Sequence, residues 1–579
     1  MDNKTIANIL YETANLMEVR GDDSFRIRSY RRAGEAIDAL PQQVSEIIGD
    51  RKAILAIPGI GKGMCANLEE IVRDKKLYLH QELLTQYKPS MLELLKVQGL
   101  GPKTISLLWD AFKVSDIAGV EKLAREGKLR NLPRMGRAKE AKILGSIEGL
   151  KRISGRFLID KAATQAAMFM DYLSGTPGID TVTLAGSLRR GRETVSDLDL
   201  LVTGKGCCEE ERDAVTAKIL NGPGVMEIMA KGSNKISFRL RNGMQVDVRL
   251  ISSDSFGAAL QYFTGSKSHN VALRQRALKL GYTLNEYGLV RIKDEVKVAG
   301  ASEQELYAKL NLDFIPPELR ENNCEIEAAQ SGLLPVLVSE MDIQGDVHMH
   351  TIATDGRCTI LEMAQAAKDR GYKYIAITDH SKALAFANGL DDKRALEHLH
   401  AIREVNREIE GLTIFAGIEV DILGDGELDL SHSVLQEMDV VIASVHSHFQ
   451  QEPARMTDRL LRVVDSGVVS LIGHPTGRKL LRREAYSYDM DAVLKYAAKA
   501  GVAMELNSYP DRLDLCDLHL RMARERGVKI VINTDSHHTS HLQNIQYGIL
   551  QARRAWLTKE DVLNTRAPKE FAAAIKKKS

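Results

Sequence analysis

The sequence has few cysteines and no long apolar run. Its six cysteines are scattered without any Cys-x-x-Cys pair, which excludes a disulfide framework and a zinc knuckle, so free thiols are expected. The longest apolar runs, such as Leu333–Val338 and Asp439–Val445, are far shorter than the about 18 residues that a membrane span needs. The N-terminus lacks the charged segment and apolar core of a signal peptide, which predicts a cytoplasmic protein with no membrane partner.

The composition is that of an ordinary globular chain. Hydrophobic residues make up 44% and charged residues 27%, which excludes disordered and fibrous proteins. At about 150 residues per domain, 579 residues predict roughly four domains. The net charge of +1 neither indicates nor excludes a nucleic-acid partner. Histidine is unevenly distributed, with two in residues 1–340 and thirteen in residues 341–579, so the C-terminal part needs imidazole groups.

Two glycine turns punctuate a helical N-terminal region. Residues 57–63 read Ile-Pro-Gly-Ile-Gly-Lys-Gly, and residues 97–103 read Val-Gln-Gly-Leu-Gly-Pro-Lys. Paired glycines let the backbone approach a ligand closely, and the N–H groups of the following helix can hold a phosphate oxygen. One such turn is more often a plain connection between helices. Two in the same frame resemble the helix-hairpin-helix motif, which predicts that Gly59, Gly61, Gly99 and Gly101 grip the DNA backbone without reading sequence.

Three aspartates in the middle of the chain predict a metal site. Asp197 and Asp199 stand two positions apart in an apolar segment, so on a strand they face the same way. Asp247 lies in a second apolar segment and supplies a third acid on a neighbouring strand. Three carboxylates around two Mg²⁺ or Mn²⁺ ions are what in-line nucleotidyl transfer requires.

The turn before these aspartates offers groups for a triphosphate. Gly186 and Ser187 supply backbone N–H and hydroxyl donors, and Arg190 supplies a cation. An isolated Asp-x-Asp pair is more often an exposed strand end. The Gly-Ser turn and the third acid favour the metal site here.

After Asp342, apolar strands alternate with segments of helix length, which is typical of parallel β/α units. The predicted strands are Gly345–His348, Tyr374–Thr378, Ile414–Val420, Asp439–Val445, Val469–Gly473, Val502–Leu506 and Lys529–Thr534. Seven such units suit a barrel similar to the (β/α)₈ fold, whose chemistry lies at the C-terminal strand ends.

Nine candidate metal ligands lie at or just after these strand ends. They are His348, His350, Asp355, His380, Glu419, His446, His474, Asp535 and His537. Imidazole with carboxylate suits Zn²⁺, Mn²⁺ or Fe²⁺, and nine ligands predict two or three clustered metals, which would cleave phosphate esters. The remaining histidines are interpreted as packed or solvated side chains, namely His398, His400, His432, His519, His538 and His541. The role of His448 is left open.

From Gly186 onwards the chain resembles the nucleotidyltransferases, and two further motifs narrow the resemblance to the family X DNA polymerases. These are Tyr-Phe-Thr-Gly-Ser at residues 262–266 and Gly-Tyr-Thr-Leu-Asn-Glu-Tyr at residues 281–287, and the similarity covers about residues 1–320. It implies that Asp197, Asp199 and Asp247 bind the catalytic metals, while Ser187 and Arg190 hold the triphosphate.

The same resemblance implies further nucleotide and DNA contacts. Tyr262 and Gly265 would pack near the incoming sugar, Asn270 would contact the base in the minor groove, and Arg274 would contact the template strand. The departures from vertebrate repair members are Val195, Ser196, Lys267 and Gln245. They bear on nucleotide affinity rather than on the chemistry.

The histidine pattern is similar to the PHP (polymerase and histidinol phosphatase) domain, a distorted (β/α)₇ barrel with a trinuclear metal centre. All nine ligand positions are filled, which implies an active domain. Together the two resemblances are those of the bacterial and archaeal PolX enzymes. The implied domains are a helical helix-hairpin-helix domain (1–90), a fingers-like helical domain (91–150), a nucleotidyltransferase palm of α/β fold (151–255), a small α+β thumb-like domain (256–318), a linker (319–341) and the PHP barrel (342–579).

The function implied is a DNA polymerase that fills short gaps during DNA repair, with a metal-dependent 3′–5′ exonuclease that trims 3′ ends and an AP endonuclease as a further option. Gapped or primer-template DNA and dNTPs are the expected partners, and a monomer is expected. One alternative keeps both metal sites but uses another acceptor, such as tRNA or a small molecule. A second alternative is a DNA-binding scaffold with vestigial sites.

The vertebrate relatives also remove a 5′ sugar phosphate through a lysine Schiff base. Alignment of the first glycine turn with the family motif puts Asn67 at the position of that nucleophile, and an amide cannot form a Schiff base. Lys62 lies nearer the turn, where it would meet a phosphate rather than the sugar carbon. Little or no lyase activity is therefore expected.

Overall fold

We describe the protein from a computed structural model. The described residues are 3–40, 43–57, 59–88, 90–95, 97, 99–133, 135–153, 155–207, 211–232 and 234–575. They form two compact units, Met1–Ser154 and Gly155–Ser579. In the described part of the chain, no helix is long and apolar enough to cross a membrane.

The first unit is helical, and its described residues contain no strand. Its α-helices are Asn3–Arg20, Ser24–Ala39, Val44–Ile47, Arg51–Ala56, Lys62–Asp74, Tyr78–Gln86, Ser90–Leu94, Pro102–Phe112, Ile117–Arg125 and Arg137–Ile153, and Leu129–Asn131 is a 3₁₀ turn. Apolar side chains at helical spacing, among them Leu10, Leu68 and Leu108, are fully buried in one core. Both glycine turns connect helices of this unit.

The second unit begins with a five-stranded mixed sheet. In spatial order its strands are Thr181–Leu184, Asp197–Thr203, Gln245–Leu250, Lys235–Leu240 and Val225–Lys231. The pair formed by Asp197–Thr203 and Gln245–Leu250 is parallel, and the other neighbours are antiparallel. The accompanying elements are helices Ile159–Leu173, Gly186–Arg189 and Arg212–Leu220 and the short pair Phe157–Leu158 and Thr194–Val195. This sheet is the predicted palm fold.

A small α+β region follows the sheet. Its helices are Phe256–Thr264, Lys267–Lys279 and Glu303–Lys309, and its antiparallel strands are Tyr282–Asn285, Gly288–Arg291 and Lys297–Ala299. Leu273, Leu289 and Leu306 are buried in its core.

The segment expected to be a linker, residues 319–341, contains folded structure. It contains the helix Glu325–Gln330, and the 3₁₀ turn at Pro317–Leu319 ends where it begins. Arg320 is 0% exposed and pairs with Glu303 at 2.5 Å. Glu325 of the same segment lies 2.7 Å from the buried His269.

The C-terminal region is a seven-stranded parallel barrel. Its strands pair in chain order and are Gly345–Asp346, Tyr374–Ile377, Thr413–Asp421, Val440–Ser444, Leu471–Ile472, Ala503–Asn507 and Ile530–Asn533. A parallel bridge between Met349 and Ser536 joins the first strand to the last. All seven predicted strands are therefore present, with bounds that differ by a few residues.

Helices surround this barrel. They are Ile360–Asp369, Asp392–Glu408, His432–Glu437, Pro453–Asp465, Met490–Ala500, Asp517–Glu525, Ile545–Arg554 and Pro568–Ala574. Alternate residues of each strand face opposite ways: Ile375 and Ile377 pack among the residues of the helices, while Tyr374 and Ala376 pack with Phe571 of the last helix. Polar residues occupy the C-terminal ends of the strands.

Candidate active sites

The three aspartates of the sheet lie on one face of two neighbouring strands. Asp199 stands directly opposite Asp247 in the parallel pair, and Asp197 stands opposite Gln245. Since Asp197 and Asp199 are two positions apart on one strand, all three carboxylates point to the same side. This is the grouping that the spacing of the aspartates predicts.

The glycine before these strands is required by the close approach of a carboxylate. Gly186 has φ +67°, and a Cβ at this position would overlap the carboxylate of Asp199. The backbone N–H of Ala185 donates to the carbonyl of Asp199 at 2.8 Å. Gly186 and Ser187 therefore start a short helix directly over the acidic group.

Asp199 and Asp247 differ in their affinity for protons. Burial, reinforced by the charges of Asp197 and Asp247, raises the pKa of Asp199 to about 7. Burial also acts to raise the pKa of Asp247, but hydrogen bonds from Lys235, Ser237 and Gln245 outweigh it and lower that pKa. Lys235 Nζ lies 2.7 Å from Asp247, and Gln245 Nε2 donates to it at 3.1 Å. Gln245, a departure from the vertebrate pattern, thus still holds the third aspartate.

In metal-free protein, Asp199→Asn is expected to stabilise the fold at pH 8 and to have little effect near pH 4. The pKa of Asp199 is about 7 in the folded protein and near 3.8 in the unfolded chain, so folding stability falls as pH rises from about 4 to about 7 and stays low above that. At pH 8 the ionised carboxylate of Asp199 lowers the free energy of unfolding by roughly 3–5 kcal/mol, and an amide at this position removes that loss. Thermal unfolding in EDTA at both pH values measures the effect, with exposed Asp213→Asn as the matched control. Equal thermal unfolding midpoints for wild type and Asp199→Asn at pH 8 would contradict the expected destabilisation by the ionised carboxylate of Asp199.

The residues predicted to meet the nucleotide form two small groups. Arg190 Nη1 donates to the carbonyl of Thr264, and its Nε lies 3.1 Å from Glu321. A Cβ on the adjacent Gly265, at φ +71°, would stand 3.1 Å from the same guanidinium. Arg190 and Gly265 are therefore neighbours in this structure.

The second group surrounds Tyr262. Asn270 Nδ2 donates to the carbonyl of Tyr262 at 2.7 Å, and Gln261 Nε2 donates to Asn270 Oδ1 at 2.7 Å. The amide of Asn270 would have to leave these partners to reach a base. Arg274 is exposed on the same helix, as a contact to a template strand would require.

The two glycine turns of the first unit have matching backbone geometry. Gly59 and Gly99 are left-handed, at φ +86° and +98°, while Gly61 and Gly101 are extended and cap the helices Lys62–Asp74 and Pro102–Phe112. A Cβ on Gly61 or Gly101 would meet nothing within 4 Å. Glycine is needed for its conformation at the first position of each turn, while the second position has open space around it.

Asn67, at the position of the lyase nucleophile, is already engaged. Its Nδ2 donates to the hydroxyl of Tyr30 at 2.8 Å. This contact fixes an amide where the vertebrate relatives hold an amine.

The structure brings all nine predicted ligands of the barrel together at one end. Their ligand atoms form three overlapping groups, each within 4.8 Å: His350, Asp355, His380 and His537; His348, His350 and Asp535; and His380, Glu419 and His446. His474 joins them through Glu419, at 3.2 Å. Glu419 is central, because five imidazoles lie within 3.7 Å of its carboxylate: His348, His350, His380, His446 and His474.

Several atoms of this cluster that could bind a metal are buried without a hydrogen-bond partner. They include both carboxylate oxygens of Glu419 and the Nε2 atoms of His348 and His474. Buried polar atoms of this kind need a partner, and divalent cations fit a set of imidazole and carboxylate donors. The residues present therefore fit a metal centre.

The charges of the cluster suit the same purpose. Burial, with neighbouring cations, lowers the pKa of His350 to about 4 and that of His474 to about 3, so both imidazoles are neutral near pH 7. Burial acts to raise the pKa of Glu419, but the charges of His348, His380 and His446 outweigh it and hold that pKa well below its ordinary value. Neutral imidazoles and an ionised carboxylate are the forms that bind metal. Burial acts to lower the pKa of His380, but Glu419 and Asp355 outweigh it and raise that pKa to about 10, so this ring must lose a proton when metal binds.

Sequence reasoning missed the groups that orient these ligands. Glu505 lies 2.6 Å from Nδ1 of His348, which turns Nε2 of that ring toward the cluster. Asn507 Nδ2 donates to Asp535 at 3.0 Å. Both lie on the strand Ala503–Asn507, where polar residues alternate with buried apolar ones. This alternation was the feature of the sequence that could have revealed them. His398, interpreted as packed or solvated, lies 2.7 Å from the fully buried Asp379.

Comparison with known proteins identifies the family. The DNA polymerase/3′-5′ exonuclease PolX of Bacillus subtilis (strain 168) is 36% identical over 579 residues, and the alignment covers 100% of both chains. The chain belongs to the PolX family of DNA polymerases. Family models match at residues 1–77 (helix-hairpin-helix domain), 91–148 (SAM-like helix-hairpin-helix tandem), 259–321 (DNA polymerase beta thumb) and 346–509 (PHP domain).

Two further proteins resemble parts of this PolX chain. A probable phosphatase of Thermoanaerobacter sp. (strain X514) is 30% identical over 231 residues, which are 38% of this chain and 89% of the phosphatase. Polymerase beta of Leishmania infantum, solved as a ternary P/T complex, matches 40% of this chain and 98% of its own at 22% identity and a TM-score of 0.28.

Membership of the PolX family confirms the expected family and fold class, with helix-hairpin-helix domains, a polymerase-type thumb and a C-terminal PHP barrel. The PHP domain and the polymerase family imply the use of divalent metals, and the possible metal-binding groups of the barrel are consistent with this.

Proposed function

We propose that this chain extends the 3′ end of a DNA primer from dNTPs at the three aspartates and removes nucleotides from 3′ ends at the histidine cluster. One observation carries the proposal. The three aspartates and the nine barrel ligands are all present in one chain, and that chain aligns end to end with a PolX polymerase/exonuclease. Short-gap filling during DNA repair is the setting proposed. We also propose the domain limits 1–90, 91–150, 151–255 and 256–318, with the barrel from 342 to 579.

In the polymerase site, each group has a role that follows from its position. Asp197, Asp199 and Asp247 would hold two Mg²⁺ or Mn²⁺ ions, which when bound activate the primer hydroxyl and neutralise the triphosphate. The proton on Asp199 must leave before it can bind metal, because its pKa is about 7. Gly186 and Ser187 would donate to the triphosphate from above the acidic group.

The remaining polymerase residues position the nucleotide. Arg190 would face the triphosphate, held in place by Glu321 and the carbonyl of Thr264. Tyr262 and Gly265 would line the sugar, and Asn270 would donate to the base once its amide leaves Tyr262. Arg274 would contact the template strand.

In the barrel, the nine ligands would hold two or three ions of Zn²⁺, Mn²⁺ or Fe²⁺, which when bound activate water and the phosphodiester. Glu505 fixes the ring of His348, and Asn507 fixes Asp535. Arg512 Nε lies 3.6 Å from Asp535, so its guanidinium would hold a phosphate oxygen of the scissile bond beside the cluster.

Substitution of Gly61 by valine is expected to weaken binding of gapped DNA by about tenfold, since a bulky side chain would hold phosphate away from the backbone N–H groups. The fold should survive, because a Cβ at Gly61 meets nothing within 4 Å and φ is −93°. Gly59→Val is a poorer test, because φ is +86° there. Titration of labelled gapped DNA at two salt concentrations measures the effect.

The control for this test is Gly49→Val, at an exposed glycine that also has open space around its Cβ. Equal affinities for wild type, Gly49→Val and Gly61→Val would show that the turn only connects two helices.

The choice of acceptor decides between the proposed function and its nearest alternative. Wild-type protein with Mn²⁺ and labelled nucleotide is offered gapped DNA and, separately, deproteinised tRNA. Template-directed incorporation into the DNA alone supports the proposal. Incorporation into tRNA alone would refute it, and no incorporation by a protein that contains metal would favour a scaffold. We further propose that the protein works as a cytoplasmic monomer.

A further inference from the structure

The barrel helix Ile545–Arg554 contacts the loop that carries the proposed triphosphate groups. Gln551 Nε2 donates to the carbonyl of Gly191 at 2.7 Å, and Arg554 Nη1 donates to the carbonyl of Arg190 at 3.0 Å. The backbone of Gly191 is left-handed, at φ +67°, and a Cβ there would stand 3.0 Å from Leu550. The loop between the Gly-Ser turn and the catalytic strand is therefore shaped by the barrel.

A shared carboxylate connects the two regions a second time. Glu321 lies 3.1 Å from Nε of Arg190 and 2.9 Å from Nη1 of Arg554, and Arg192 is 3.9 Å away. Arg554 is buried and also pairs with Asp517 of the barrel at 2.6 Å. Arg190 and Arg554 thus share the charge of Glu321 at close range, and Arg192 lies at the edge of the same group.

We propose that Arg554 and Gln551 are positioning residues for nucleotide binding, so that the barrel completes the triphosphate site of the polymerase. This inference rests on the proposed function. With Arg554 in place, Glu321 neutralises Arg190 only in part, and the guanidinium keeps charge for the triphosphate. Without Arg554, Glu321 is left to Arg190 and the more distant Arg192, and the carbonyl of Arg190 loses its donor.

The test is single-nucleotide gap filling with full-length variants, in which KM for the dNTP and kcat are measured separately. Arg554→Gln is expected to raise KM for the dNTP by about tenfold with kcat within about twofold, because ground-state binding of the triphosphate is weakened. The 3′-trimming rate should stay within about twofold, which also reports that the barrel is folded. Arg554→Lys, which keeps a cation, should give an intermediate KM.

The double variant Arg554→Gln with Glu321→Gln separates this role from plain packing. Removal of the acid frees Arg190, so KM for the dNTP should return toward the wild-type value. If the network only stabilised the fold, the double variant would be worse than the single one. Should Arg554→Gln fail to fold, Gln551→Ala, which removes a single hydrogen bond, is expected to raise the same KM by about threefold.

The matched control is Arg553→Gln. Arg553 lies on the same helix but pairs with Glu318 and the carbonyl of Val338, away from the Arg190 loop. An unchanged KM for the dNTP in Arg554→Gln, or an equal rise in Arg553→Gln, would overturn the inference. Wild-type protein that extends no primer would instead refute the proposed function.

Discussion

Asp197→Ala is expected to reduce primer extension by about 10³-fold or more while 3′ trimming by the same preparation is unchanged. The substitution removes one of three carboxylates that would hold the catalytic ions, and several kcal/mol of transition-state stabilisation are lost with it. Asp197 is half-buried at the start of its strand, so the fold should tolerate alanine. Extension and trimming of one labelled primer, with and without dNTPs, measure both activities.

The control for this experiment is Asp213→Ala, at an exposed aspartate on the helix Arg212–Leu220. It should retain both activities. Loss of trimming in a folded Asp197→Ala protein would show that the two reactions share one site.

Glu419→Gln should have the opposite effect, with trimming reduced by about 10³-fold and extension retained. Glu419 is fully buried among five imidazoles, and neither carboxylate oxygen has a hydrogen-bond partner. An amide keeps the shape of the side chain but not its charge, so the centre would lose its shared anionic ligand. Metal content by elemental analysis, measured beside the trimming rate, should fall as well.

His400→Asn is the matched control for Glu419→Gln, because His400 is exposed on the helix Asp392–Glu408. Trimming that survives in Glu419→Gln with metal content unchanged would contradict the central place given to this carboxylate.

The sequence was most informative where candidate metal ligands recur at the ends of successive strands. Parallel strands bring their C-terminal ends to one edge, so placing His348, Glu419 and His474 after apolar strands was enough to predict that they meet. Alternation along the strand likewise predicted that Asp197 and Asp199 face the same way, and Asp247 was expected on a neighbouring strand; its position opposite Asp199 is known only from the structure. These predictions needed no knowledge of long-range contacts.

Other features depend on which elements face each other, which periodicity does not encode. Residues 319–341 were expected to be a linker, but Arg320 and Glu325 of this segment are buried and pair with residues of other elements. Arg554 was unremarkable in sequence, because its partners Arg190 and Glu321 lie more than two hundred positions away. The role of Glu505 could not be predicted for a related reason. A carboxylate within a buried strand is recognised as a partner of His348 only when the structure shows the two side by side.

The most direct test of the two-site account uses wild-type protein and a 5′-labelled primer in gapped DNA with Mn²⁺. With dNTPs the labelled strand should lengthen by the size of the gap, and without dNTPs the same strand should shorten from its 3′ end. Both changes in one homogeneous preparation are the predicted result. A strand that keeps its length under both conditions, in protein with its metals bound, would contradict the account.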